Sequence, residues 1–491
     1  MDYLKNISSL KKSVINENSL IFSPSRYKEI KINKNFKRLV DLIGQSSKTV
    51  SVKNTKKYYN YVEIGSINNF SGYVVPIRRR NIDISSSTLY QLEKDDIIMS
   101  TVRTYLGGIG IIDKDIDDLV ASKALVILRN IKEDIDKYYI FGVMRTNYFI
   151  QQTRLILNAS MYPRMDKDAL EKLRIPFPDL SNHSKPSQIE IYISKVVRNI
   201  LDKENQIKEK QKIINEKIEN ELFGNQNNET FVFCYPKVSE IKNEDSFSVG
   251  TYKQEFKKLC HYIENYKNGY FSIPLEKIKS GSTPKTRILN PKNKKYKWIT
   301  PTIINDEGVY NDLETINMLT RNNINKNSIL MINRTSKGGL GEYVGITSFY
   351  DIDKLGKGHH NQGFYRVDDY SKEELLFLLT FLNSRIMRKI CAGFSKGAKM
   401  KEMKSDDFSK LHFPQFPQNI KEAIVELYYN DIPRDDPVTL DTYLDKEFNR
   451  NKSLGIFQLN MEIFNLRNQL EDLVDKIVNE EIINIDSYFC Y

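Results

Sequence analysis

One pattern occurs twice in this chain, and it constrains the fold more than any other feature. Ile97-Ile98-Met99 runs into Val102-Arg103-Thr104 and then Gly107-Gly108-Ile109-Gly110. Ile329-Leu330-Met331 runs into Asn333-Arg334-Thr335 and then Gly338-Gly339-Leu340-Gly341. Each copy reads as a buried strand, an Arg-Thr pair, a short polar step and a GGxG turn. The arginines lie 231 residues apart (334 − 103). Downstream, Leu173-Arg174-Ile175-Pro176-Phe177-Pro178 echoes Leu411-His412-Phe413-Pro414-Gln415-Phe416-Pro417, with prolines 238 apart (414 − 176). Upstream, Phe22-Ser23 and Arg26-Tyr27-Lys28 loosely match Phe247-Ser248 and Thr251-Tyr252-Lys253. Three landmarks in one order at nearly one spacing point to an internal duplication.

Each copy ends in a helical seam. Ser187 with Glu190 makes a capping-box start, and Ile193, Ile200, Ile207 and Ile214 then recur every seven residues, with Val197 and Ile218 between the rows. Glu204 and Gln211 interrupt the second row, and Phe223-Gly224 closes the helix. The second seam, Leu459, Ile463, Leu466, Leu470, Leu473 and Ile477, keeps strict 4,3 spacing. An amphipathic helix lying on its own domain has similar periodicity. Two such helices, one closing each copy, favour pairing as a coiled coil.

The fold class expected is α/β (α+β): two repeated mixed α/β domains, each followed by a long helix, the helices pairing antiparallel. The first domain spans 1–180, its helix 187–224, a linker 225–246, the second domain 247–417, a helix and inserted segment 418–455, and the second long helix 456–485. Strands are expected at Tyr61–Ile64, Tyr73–Val75, Ile97–Ser100 and Ala124–Leu128, then near Trp298, at Ile329–Met331 and at Tyr343–Ile346. Single helices fit Tyr138 to about Leu157 and Lys372 to about Ile390.

Of 491 residues, 74 are Lys or Arg and 63 Asp or Glu, a formal charge of +11. That raises the expectation of a polyanionic partner. No apolar run reaches the length of a membrane span, and the N-terminus lacks the apolar core of a secretion signal. A cytoplasmic protein without membrane contact is expected. Cys234, Cys260, Cys391 and Cys490 form no CxxC pair, so buried reduced thiols are expected, with no metal site. There is no GxxxxGK[ST] loop and no Asn-Pro-Pro-aromatic tetrapeptide. Asp435, Asp436, Asp441 and Asp445 are the nearest approach to a nuclease carboxylate set, and a solvated loop explains them better. No catalytic residue is assigned. The chain reads as a binder.

Its candidate nucleic-acid contacts follow from residue type. Arg78-Arg79-Arg80 follows a strand, where arginines either meet phosphates or form a solvated charge run. Thr101, Arg103, Thr104 and Tyr105 stand at a strand end, where an arginine can fork onto guanine and hydroxyls can reach bases or phosphates. Recurrence as Asn333-Arg334-Thr335-Ser336-Lys337 gives equal weight to a framework or phosphate-clamp role. Ser160, Tyr162 and Arg164 and the loop holding Lys396 and Lys399 occupy equivalent places. The amides of Asn333, Asn361 and Gln362 could pair with adenine.

These motifs, with Lys279-Ser280-Gly281-Ser282-Thr283-Pro284 and Trp298-Ile299-Thr300, make the chain resemble the specificity subunit of type I restriction-modification systems. The resemblance covers nearly the whole chain. It implies two target recognition domains gripping the halves of a split double-stranded DNA site, and two long helices acting as a ruler. It also implies two docked methyltransferase subunits that carry S-adenosylmethionine and methylate adenine N6, and restriction motor subunits where the system has them. The chain itself then needs no cofactor and serves phage defence. The Gly-Ser-Thr-Pro opening is clear only in the second copy; the first has Gly44-Gln45-Ser46-Ser47. That departure and the inserted segment suggest a divergent branch. Two other readings remain open: a nuclease or single-chain DNA-modifying enzyme with an unrecognised site, and a coiled-coil scaffold protein.

Overall fold

The computed structural model describes residues 3–5, 28–52, 58–132, 134–157, 164–165, 169–239, 249–293, 295–336, 343–397, 399–434 and 438–489. They divide into two compact units. Unit 1 comprises Met1–Asn205, Pro433–Lys452 and Glu462–Tyr491, and unit 2 comprises Gln206–Ile432 and Ser453–Met461. Among the described residues, no helix is long and apolar enough to cross a membrane.

Unit 1 contains β1 (Phe36–Arg38), β2 (Ile43–Ser46), β3 (Thr49–Ser51), β4 (Tyr58–Val62), β5 (Ile77–Arg80) and β6 (Thr88–Gln91). Then come β7 (Ile97–Ser100), β8 (Ile109–Ile111), β9 (Leu119–Ala121), β10 (Leu125–Ile131) and β11 (Arg174–Pro176). They build a four-stranded sheet in the order β8-β7-β10-β2 and a five-stranded sheet in the order β3-β6-β9-β4-β5, with β11 paired to β1. The apolar run of β7 has no polar face because every residue from Ile97 to Ser100 is buried. Ile98, Leu125 and Ile127 of the first sheet share a core with Val62, Leu119 and Ala121 of the second.

Unit 2 contains β12 (Tyr270–Ser272), β13 (Lys279–Ser280), β14 (Tyr296–Ile299), β15 (Thr315–Ile316), β16 (Ser328–Ile332) and β17 (Arg334–Thr335). Then come β18 (Thr347–Tyr350), β19 (Gly358–His360), β20 (Phe364–Val367), β21 (Lys401–Glu402) and β22 (His412–Pro414). Its four-stranded sheet has the order β18-β16-β20-β13, the second sheet β15-β14-β19, and β12 pairs with β22. The four-stranded sheet and the closing pair repeat the plan of unit 1, as does the parallel strand pairing, β9 on β4 and β19 on β14; the second sheet keeps three of the five strands. The duplication is therefore one of topology as well as sequence.

The hydrogen-bonded frame corrects the sequence alignment. Thr101 N–H donates to the Ala124 carbonyl at 2.9 Å, and Asn333 N–H donates to the Gly363 carbonyl at 2.9 Å. Met165 N–H reaches the Thr101 carbonyl at 2.9 Å, and Met403 N–H the Asn333 carbonyl at 2.8 Å. Thr101 thus corresponds to Asn333, and Arg334 takes the place of Val102 rather than Arg103. A slip of one residue turns a strand side chain to the opposite face, so the two arginines are not one element repeated. The glycine turns also differ. Met99 pairs with Ile109 and Met331 with Thr347, so Gly107 (φ +85°) corresponds to Gly345 (φ +92°). Gly338–Gly341 lie outside the described residues.

Among the described residues, the α-helices of seven residues or more are α1 (Lys137–Met144), α2 (Asn147–Thr153), α3 (Pro186–Gly224), α4 (Gln254–Glu264), α5 (Lys372–Leu382), α6 (Arg385–Phe394), α7 (Gln418–Tyr428), α8 (Tyr443–Ser453) and α9 (Ile456–Asn479). Both expected single helices are broken in two, for a shared reason. Thr146 and Ser384 leave helical geometry as N-caps, and Ser384 Oγ accepts from Met387 N–H at 3.2 Å. Just before them, Arg145 donates to the Gly107 and Ile109 carbonyls at 2.6 and 2.9 Å, and Asn383 forks onto the Thr347 backbone at 2.9 and 2.7 Å. The break frees one polar side chain to tie helix to returning strand.

Helix α3 starts one residue earlier than its capping box suggests, at Pro186, where a missing N–H costs nothing. Helix α9 ends at Asn479, short of 485. The expected strand at Tyr73–Val75 is reduced to isolated bridges, and that at Tyr343–Ile346 starts later, at Thr347. All twelve seam residues are buried. Within unit 1, Tyr192 hydroxyl meets Gln469 Oε1 at 3.4 Å and Lys203 Nζ meets Glu462 Oε2 at 2.5 Å. Ascending numbers on α3 meet descending numbers on α9, so the helices run antiparallel there. The inserted segment is not a loose excursion either: α8 packs on α3, where Asn199 Nδ2 donates to the Tyr443 hydroxyl at 2.9 Å and Glu447 Oε2 at 3.1 Å.

Candidate nucleic-acid interface

In unit 1 the returning strands bring separate stretches to one place. Thr101 lies against the turn Ser122-Lys123-Ala124, its N–H and Oγ1 both donating to the Ala124 carbonyl. Val102 forms an antiparallel bridge with Arg164. The turn Thr104–Leu106 follows, flanked by Arg103 at φ +48° and Gly107 at φ +85°. Arg154, from the end of α2, places its guanidinium 5.8 Å from the Tyr105 ring centroid. Arg103, Lys123, Arg154 and Arg164 are all exposed. Sequence reasoning missed Lys123 and Arg154, because only tertiary pairing carries them to Thr101 and Tyr105.

Two candidates here serve the framework instead. Thr104 is fully buried and its hydroxyl donates to the Ser100 carbonyl at 2.6 Å. Thr101 spends its hydroxyl on Ala124 at 3.0 Å. Ser160 and Tyr162 lie outside the described residues. Arg78, Arg79 and Arg80 sit on β5, the edge strand of the five-stranded sheet. Arg79 pairs with Glu63 and Arg80 with Asp83, each at 3.1 Å, while Arg78 lies 5.0 Å from the Tyr58 ring centroid.

Unit 2 assembles its cluster on the corresponding connection. Strand β17 pairs with β21, opposing Arg334 to Glu402 and Thr335 to Lys401. Lys396 and Glu402 close a tight loop by exchanging backbone hydrogen bonds at 2.8 and 2.9 Å. Its turn needs Gly397 at φ +110°, where a Cβ would sit 2.0 Å from the Met400 carbonyl oxygen. Lys399 and Lys404 are exposed, and Arg334, Thr335 and Lys401 are half-buried. Lys396 is drawn toward Asp407 at 3.8 Å. Asn333 is buried and gives Nδ2 to the Gln362 carbonyl at 3.2 Å, so its amide is framework. Asn361 Oδ1 accepts from Gly363 N–H at 2.9 Å, and Gln362 is exposed beside it. Lys337 is outside the described residues.

Among the described residues, no group of His, Cys, Asp and Glu could hold a metal ion; Asp435 and Asp436 lie outside them. Cys391 is buried as expected, but Cys260 is half-buried and Cys234 exposed, a correction, and Cys490 is not described. Each unit thus carries a cluster of basic side chains at the corresponding connection.

No family model matches the sequence, and no curated protein is significantly similar to it. Among solved structures, the chain is similar to one described under complex assembly and conformational transition of the type I R-M system. That match has 16% identity over 92% of this chain and 99% of the other, at a TM-score of 0.31. It is also similar to the HsdS subunit from Thermoanaerobacter tengcongensis, at 14% identity over 90% and 96% with a TM-score of 0.29. The type I restriction-modification S subunit from M. genitalium matches at 14% identity over 91% and 96%, with a TM-score of 0.40. At such scores the functional reading stands on the geometry of the two units themselves.

Proposed function

We propose that the chain is a non-catalytic DNA-reading subunit of a type I-like restriction-modification complex. Each unit reads one half of a bipartite site in duplex DNA. The single observation that carries this reading is the repeated connection, which presents Arg103, Arg154 and Arg164 in unit 1 and Arg334, Lys399 and Lys401 in unit 2. Two like but non-identical heads suit an asymmetric split site. Exposed cations fix a protein on phosphates, and exposed polar side chains such as Gln362 are left to meet base edges. In this reading α3 and α9 pair as a coiled coil that sets the spacing between half-sites. Two methyltransferase subunits, which carry S-adenosylmethionine, dock on those helices and methylate adenine N6, and motor subunits join where restriction accompanies methylation. The setting is the cytoplasm, in defence against phage.

The test is co-expression with the adenine methyltransferase encoded beside this chain, followed by mapping of methylated adenines. One split motif that appears only when both proteins are present is expected. Methylation that persists unchanged without this chain refutes the reading. Exchange of residues 31–180 for those of a related chain should change one half-site alone.

A further inference from the structure

Leu106 is 57% exposed at the apex of the turn in unit 1. A lone exposed leucine is ordinary on a protein surface. This one is unusual in what surrounds and holds it. Arg103 and Gly107, its flanks, are both left-handed, at φ +48° and +85°. A left-handed arginine costs on the order of 1 kcal/mol and persists only where its surroundings impose it. Here they do: Thr104 Oγ1 is tied to the Ser100 carbonyl at 2.6 Å, and Arg145 Nη1 holds the Gly107 carbonyl at 2.6 Å. Gly107 N–H closes the turn on the Thr104 carbonyl at 3.0 Å. A rigid turn therefore exposes an aliphatic side chain on the same connection that carries Arg103 and meets Arg154 at Tyr105 and Arg164 at Val102.

Cations alone would suffice to grip phosphates. A stiffly held aliphatic group among them is the arrangement of a side chain that enters a groove and parts two stacked bases. Resting on the DNA-reading proposal above, we propose that Leu106 is the wedge of the first head, unstacking one base step in its half-site. Unit 2 offers a parallel: Met400, 52% exposed, stands between Lys399 and Lys401 in the loop closed by Lys396 and Glu402. A reader that holds DNA already unstacked lowers the cost of extruding a base for chemistry on it.

The probe is a library of random duplex DNA, enriched on the full-length chain. Unstacked thymines in the bound pool are read by permanganate oxidation and unstacked purines by diethyl pyrocarbonate. The wild-type chain should enrich a split sequence with one hyperreactive step at the half-site read by unit 1. Leu106→Ala should enrich the same sequence and lose that hyperreactivity to the level of free duplex, while Leu106→Phe should keep it. Undiminished hyperreactivity in Leu106→Ala overturns the wedge and leaves the DNA-reading proposal standing. So does enrichment of a split sequence with no hyperreactive step, or an effect of Leu106→Ala that vanishes when thymine is replaced by uracil, which marks a methyl contact. If the wild-type chain enriches nothing, the DNA-reading proposal and the wedge fall together. Unaltered circular dichroism and thermal midpoint in Leu106→Ala separate a local effect from unfolding.

Discussion

Lys203 Nζ lies 3.4 Å from Glu447 Oε2 in the interior of unit 1, and both side chains are at most 2% exposed. Lys203 also meets Glu462, and Arg434 and Arg450 bind the same two carboxylates from the other side. Burial pushes the Glu462 carboxyl up, but the Lys203 ammonium and the Arg450 and Arg434 guanidinium groups outweigh it and hold that carboxyl below the usual glutamate range. The three helices α3, α8 and α9 thus meet through charge where an apolar seam would otherwise run.

Removing one partner of a buried ion network leaves the rest uncompensated. Lys203→Ala should therefore cost about 3–5 kcal/mol, read by denaturant unfolding. Replacing the whole network, Lys203, Glu447, Glu462, Arg434 and Arg450, by apolar residues of similar volume should cost less than Lys203→Ala, because no charge is then left without a partner. A fivefold variant weaker than the single one contradicts the ion-network account.

Acid should weaken unit 2 through His360. Burial first, then Arg366 and His359, push its imidazole down to about 3. The unfolded chain titrates near the ordinary value of about 6.5, so it binds more protons than the folded chain below that pH. Stability contributed by the neutral ring is full above about 6.5 and falls as the pH drops toward the folded value, by at most ~1.4 kcal/mol per pH unit. His360→Phe should flatten this limb of the stability curve; an unchanged limb assigns the acid sensitivity to other groups.

Two glycines separate backbone strain from collision. Gly345 and Gly356 both have positive φ, +92° and +70°. A Cβ on Gly345 would lie 2.6 Å from Cys391 Sγ, whereas Gly356 has open space around it. Gly356→Ala should cost about 1–3 kcal/mol from conformation alone, because φ +70° with ψ −168° is backbone that glycine alone adopts readily. Gly345→Ala should cost clearly more in thermal unfolding, because the buried Cys391 side chain has no room to withdraw.

At the candidate interface, framework and contact residues should part company. Arg164→Ala and Lys399→Ala should leave stability within about 0.5 kcal/mol. Each should lower the slope of log affinity against log salt for duplex DNA by about 0.9 if it meets one phosphate. Thr104→Ala should instead lose about 1 kcal/mol of stability, since it leaves the buried Ser100 carbonyl without its partner. Fluorescence anisotropy over a salt series and a parallel melt read both quantities.

The duplicated plan was legible in the sequence because buried strands and helical seams write their periodicity into apolar positions: Ile97–Met99, Ile329–Met331 and all twelve seam residues are buried as read. Sequence alone also marked Arg103 with Arg334, and Arg164 with Lys399, as two recurring stretches; strand pairing then brought the two together, Val102 against Arg164 and Arg334 against Glu402. It could not show that Arg334 stands where Val102 does, because register is set by which backbone groups pair across strands, and those partners lie far along the chain. Nor could it show that Thr104 and Asn333 face inward, that Lys203 and Glu447 are buried together, or that Leu106 stands out among cations. Those outcomes depend on which segment covers which, and only the assembled packing decides that.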